Sequence, residues 1–140
     1  MTTHTAQTRD HVEAVARAAF EDFAHGLATG EWDAWLDRLA EDVVVYFPQG
    51  RYAGRNEGRA RAAEFFRYVR TVYPEGLFAA LDGVTASETT AVFEFRDEGR
   101  MHLPDGARDY KNRVAVALDV RGDEVTGYRE YFGGDGTWNE

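Results

Sequence analysis

The chain has 140 residues, 44% of them hydrophobic and 14% aromatic, with 25 acidic against 16 basic residues and a formal charge of −9. That fits one globular domain with one core, and the acidic balance argues against nucleic acid or an anionic membrane as the main partner. Cysteine is absent, which excludes disulfides, thiol catalysis and thiolate metal sites.

No apolar run approaches the roughly 20 residues of a membrane span. Residues 1–8 are polar and lack the apolar stretch of a secretion signal, so a cytoplasmic protein is expected. Residues 1–10 are expected to form a flexible N-terminus, 11–134 a single α+β domain and 135–140 a short tail.

A first helix is predicted over residues 8–28, with Val12, Ala16, Ala19, Phe23 and Leu27 on one stripe and Gly30 as its stop. A second opens at Glu31-Trp32-Asp33, where Trp32, Trp35, Leu36 and Leu39 recur at helical spacing. A short strand over residues 43–47 ends at Pro48, and residues 49–55, with two glycines, read as a loop. A third helix over residues 56–72 turns Phe65, Phe66, Val69, Val72 and Tyr73 inward, and Pro74-Glu75-Gly76 closes it. Four strands follow, over residues 77–86, 89–103, 108–121 and 124–132. Three helices followed by a curved, mostly antiparallel sheet make an α+β domain.

The Pro104-Asp105-Gly106-Ala107 turn sets the register of the long hairpin. With Asp105-Gly106 as a two-residue loop, Leu103 faces Arg108, Asp97 faces Val114 and Phe95 faces Val116. This collects the apolar side chains on one face and sends Glu94, Arg96, Glu98, Arg100, Asp109, Lys111, Arg113 and Asp119 to the other.

On the inward face Asp97 and Asn112 lie among Phe93, Phe95, Val114 and Val116. The last strand alternates, so Thr126, Tyr128, Glu130 and Phe132 share one face, and Tyr46 could reach the same cavity. Carboxylates, an amide and phenols among aromatics suit acid/base chemistry on an apolar molecule, because desolvation can keep one acid protonated while the other serves as base. The structural alternatives are that Glu130 pairs with an arginine and braces the sheet, and that Asp97 is solvated. His102 reads as a surface residue, His25 as a helix-end cation, and His4 and His11 as part of a frayed terminus. No histidine pairs with a carboxylate at metal-site spacing, and no nucleotide fingerprint occurs, so neither metal nor cofactor is expected.

Residues 40–43 (Ala-Glu-Asp-Val), the Tyr52-Ala53-Gly54-Arg55 loop and residues 125–132 (Val-Thr-Gly-Tyr-Arg-Glu-Tyr-Phe) resemble the SnoaL-like polyketide cyclases and ketosteroid-isomerase-like proteins, which share the cone-shaped nuclear transport factor fold. The resemblance runs from about Phe20 to Gly133. It implies a cone-shaped barrel and a homodimer formed through the sheet's outer face.

The hydroxyl and acid positions of ketosteroid isomerases fall at Phe23, Phe47 and Val116. For limonene-type epoxide hydrolases the two acids fall at Asp97 and Glu130, their bridging arginine at Phe95, and their water-positioning residues near Val45 and Phe47. The expectation is therefore a cofactor-independent cyclase or isomerase of polyketide or related secondary metabolism, acting on an apolar, carbonyl-bearing small molecule. Asp97 or Glu130 would remove a proton, and Tyr46, Tyr128 or Asn112 would hold the oxyanion. Phe23, Phe47, Phe65, Phe93, Phe95, Val114, Val116 and Phe132 would fold the substrate. The alternatives are an epoxide hydrolase and a non-catalytic domain that binds a small molecule or a protein.

Overall fold

A computed structural model describes residues 6–133. His4 and residues 135–140 of the expected tail lie outside the described residues. Helix α1 (Arg9–Thr29) starts where the Thr8 hydroxyl accepts a hydrogen bond from the His11 amide at 3.0 Å, satisfying a donor that the first turn leaves free. It ends at Gly30, whose φ of 78° suits glycine. Gln7 donates to the Val120 carbonyl at 2.5 Å and accepts from the Gly122 amide at 3.2 Å. The His11 ring reaches the Gly122 carbonyl at 2.7 Å. His11 is thus a helix residue tied to the far side of the domain rather than part of a frayed end.

Helix α2 (Asp33–Arg38) is short because Leu39 adopts extended backbone and begins strand β1 (Leu39–Phe47). The helical spacing of Leu39 with Trp35 is therefore a coincidence of burial: both are fully buried, in different elements. After a single 3₁₀ turn (Gly50–Tyr52) the chain forms β2 (Gly54–Glu57), a strand hidden in the expected loop. β2 pairs antiparallel with β1, with Asn56 opposite Val45. The buried Asn56 amide donates to the carbonyls of Tyr52, Val45 and Gly54, which holds the turn against the strand. Hence α3 (Arg59–Val72) begins after Asn56 rather than at it.

Strands β3 (Leu77–Ala86), β4 (Thr90–Leu103), β5 (Gly106–Arg121) and β6 (Glu124–Tyr131) complete one six-stranded sheet in the order β2-β1-β6-β5-β4-β3. β1 and β6 run parallel and every other pair is antiparallel. The sheet curves under the helices as a cone but does not close on itself; β2 and β3 are its edges.

The β4–β5 hairpin turns on Pro104-Asp105, not Asp105-Gly106. Leu103 pairs with Gly106, Asp97 with Asn112, Phe95 with Val114 and Phe93 with Val116. The displacement from the expected register is two residues. Side chains alternate with period two, so every residue keeps its expected face. The outer face gains opposite charges across the strands, with Glu98 facing Lys111 and Arg100 facing Asp109 at 2.8 Å.

The core lies between α1 and the concave sheet face. Phe20 stacks on Phe93 at 4.5 Å and 7°, and Phe23 meets Trp32, Trp35, Phe66, Phe95 and Tyr128. Each such buried ring contributes about 1.5–3 kcal/mol of hydrophobic stabilisation. Gly26 permits this packing, because a Cβ there would overlap the Trp32 ring.

Candidate functional site

Toward the β4–β5 turn the inner face is not filled. A cavity of ≈510 Å³ opens there between α3, the Gly50–Tyr52 turn and the hairpin, within the range of small-molecule sites. Phe23, Phe47, Phe65, Phe95 and Phe132 line it, as do Asp97, Tyr128 and Glu130. Five other expected contacts do not. Phe93, Val114 and Val116 face inward but are consumed by the core. Tyr46 sits on the opposite face of β1, 38% exposed, and its hydroxyl accepts from Arg55 at 2.7 Å. Inward places on β1 go to Val43, Val45 and Phe47, so the one polar group of that run points away.

Asn112 faces inward and is buried opposite Asp97, but its amide is occupied. It donates to the Tyr110 hydroxyl at 3.3 Å and the Gly133 carbonyl at 3.4 Å, and accepts from the Arg113 amide at 2.9 Å. Asn112 therefore orients its neighbours and does not line the cavity.

Asp97 is 5% exposed, and among the described residues its Oδ1 has no hydrogen-bond partner. Burial, then the charge of Glu130, push its carboxyl up to about 8. Burial also raises Glu130, to about 7, and a hydrogen bond from the Tyr128 hydroxyl partly opposes the rise by favouring the ionised form. Neither acid has an arginine partner among the described residues. Arg129 and Arg96, their sequence neighbours, lie on the other face and bind Asp119 and, at 2.9 Å, Asp82. The sheet-bracing role for Glu130 is therefore excluded, as is free solvation for Asp97. The pair can share one proton near neutral pH, which is the state that supplies an acid and a base together.

Two tyrosines overlooked in the sequence complete the polar wall. Tyr73 follows α3 and Tyr110 lies on β5, with ring centroids 5.3 Å apart. The Tyr110 hydroxyl accepts from the Asn112 amide at 3.3 Å and, with Tyr73, lines the cavity. Burial, followed by the Asp97 charge, pushes Tyr110 above its ordinary value, so it stays a neutral donor. Face parity marks Tyr110, because it shares the inward row of β5 with Asn112. Tyr73 carried no such mark, being read as the last core residue of a helix.

His102 is hydrogen-bonded to Glu75 and His25 to Glu31 at 3.0 Å, both away from the cavity. No cluster among the described residues has the makings of a metal site. No described helix is long and apolar enough to cross a membrane.

The SnoaL-like domain model matches residues 20–128, most of the chain. The chain belongs to the SnoaL-like domain family. The SnoaL-like fold here superposes on an NTF2-like protein from Anabaena variabilis ATCC 29413 with 52% identity, a TM-score of 0.83 and 97% of each chain covered. It also matches a provisionally named polyketide cyclase from Xanthomonas campestris pv. campestris at 29% identity and TM-score 0.74, covering 89% of this chain and 92% of that one. SalBIII, an epoxide hydrolase/cyclase-like enzyme with a role in pyran ring formation in the polyether salinomycin, shares the fold at 17% identity and TM-score 0.70, with 89% and 92% covered. None of the curated proteins is significantly similar to the chain.

Proposed function

We propose that this SnoaL-like protein is a cofactor-independent cyclase or isomerase that moves a proton on an apolar, carbonyl-bearing small molecule of polyketide-like secondary metabolism. The observation that carries the reading is the carboxyl pair Asp97 and Glu130 on the wall of a mostly apolar cavity, with one oxygen of Asp97 without a hydrogen-bond partner among the described residues. Glu130, helped by the Tyr128 hydrogen bond, is the more readily ionised and serves as base toward a carbon-bound proton beside the carbonyl. Asp97, held protonated by burial, donates to the developing oxyanion together with Tyr110. The surrounding phenylalanines fold the substrate, and for an intramolecular ring closure this positioning supplies much of the rate.

Deuterium exchange at the carbon beside the carbonyl of a panel of apolar ketones tests the reading. The protein should accelerate exchange, and Asp97→Asn or Glu130→Gln should each lower it by about 100-fold or more. Undiminished exchange in both variants removes acid/base chemistry.

Epoxide opening by an activated water is the second reading, favoured by the same two acids. Against it, the bridging arginine of limonene-type epoxide hydrolases falls at Phe95, and neither acid has an arginine partner among the described residues. Labelled oxygen from water appearing in a diol would support it. A purely binding domain is the third, and saturable ligand binding with no exchange or hydrolysis would favour it. Homodimerisation is proposed through the outer sheet face, where Phe78 and Tyr131 are each more than half exposed. A monomer by sedimentation at micromolar concentration would exclude it.

A further inference from the structure

The acid pair is confined to the inner wall, whereas the mouth of the same cavity has the opposite charge. Its exposed lining residues are Gln49, Gly50, Arg51 and Arg108. Arg51 comes from the 3₁₀ turn and lies 5.4 Å from the Tyr68 ring centroid and 5.8 Å from that of Tyr52, which hold it beside the opening. Arg108 belongs to the inward row of β5, opposite Met101, so the sheet's alternation directs it toward the cavity rather than the outer face. Among the described residues neither arginine has a carboxylate partner.

In a chain of net charge −9, two cations at one opening without a carboxylate partner among the described residues create a local field that the rest of the molecule opposes. The interior disfavours a permanent anion, because burial would desolvate it and Glu130, the more readily ionised acid, would repel it. An amphiphilic substrate therefore has one favourable orientation, with its anionic end outward.

We propose that Arg51 and Arg108 form an anion subsite, and that the substrate is an apolar carbonyl compound bearing a carboxylate at the end remote from the reacting carbon. The proposal rests on the acid/base reading for what happens inside the cavity, but the subsite stands on its own binding test. The probes are 4-benzoylbutanoate and its methyl ester, titrated by ligand-observed NMR at neutral pH.

The carboxylate should bind about tenfold more tightly than the ester at low salt, and much of that preference should vanish in 0.5 M sodium chloride. Arg51→Gln/Arg108→Gln should abolish the preference, bringing the carboxylate's affinity down to that of the ester; both side chains are exposed, so the fold should persist. Asp97→Asn should retain the preference. Equal binding of acid and ester, or a preference that survives the double substitution, overturns the subsite. Failure of both probes to saturate overturns it together with the cavity's role as a ligand site. A retained carboxylate preference without any exchange at the carbon beside the carbonyl would sink the acid/base reading and leave the anion subsite intact.

Discussion

Along β4 the inward row reads Ala91, Phe93, Phe95, Asp97, and along β5 it reads Leu118, Val116, Val114, Asn112, Tyr110, Arg108. The first part of each row packs against α1, where Phe93 stacks on Phe20. The second part faces the cavity or its wall. One pair of strands thus builds a solid half and a hollow half with no break in hydrogen bonding. The difference is a change of side-chain chemistry halfway along each strand. The packed core of this domain and its candidate site thus lie at different lengths of the same two strands.

That division should show first in stability. Phe93→Ala empties the solid half and should cost about 4 kcal/mol, read as a lowered chemical-denaturation midpoint. A cost below about 1 kcal/mol would mean that the two halves are not distinct.

Next in size is a pH effect that belongs to the hollow half alone. Folding raises the Asp97 carboxyl from the ordinary range near 4 to about 8, so the native state binds more protons than the unfolded state between those values. The contribution of Asp97 to stability therefore falls as pH rises from about 4 to about 8. Asp97→Asn mimics the protonated form and escapes the loss. Its stability relative to wild type should improve by at least about 2 kcal/mol between pH 4 and pH 9. A gap independent of pH would place Asp97 in water.

The smallest expected effect is that of Met101→Ala. Met101 lines the cavity, so truncation enlarges an existing space instead of creating one, and should cost less than about 1 kcal/mol in denaturation measurements.

Much of this arrangement was legible in the sequence because alternation determines faces even when it misjudges partners. The hairpin register was misplaced by two residues, yet Asp97, Asn112, Phe95 and Val114 all kept their faces. Tyr46 was misread for the converse reason. Its neighbours Val43, Val44, Val45 and Phe47 are all apolar, so β1 offers no alternation to tell its sides apart. Strand β2, at Gly54-Arg55-Asn56-Glu57, has no strand-like composition; the buried amide of Asn56 and pairing with β1 hold it. The depth of the cavity lay beyond the pattern, since facing inward does not separate Val114, in the core, from Phe95, on the cavity wall.

The tip formed by Pro104 and Asp105 bears on how such a scaffold can change over generations. Growth or trimming of both arms by two positions each would alter the reach of the tip over the opening while keeping Leu103 and Arg108 on the inner face. A single added position in one arm would instead reverse everything beyond it unless a bulge absorbed the slip. Relatives that accommodate longer or shorter compounds should therefore differ here in paired increments.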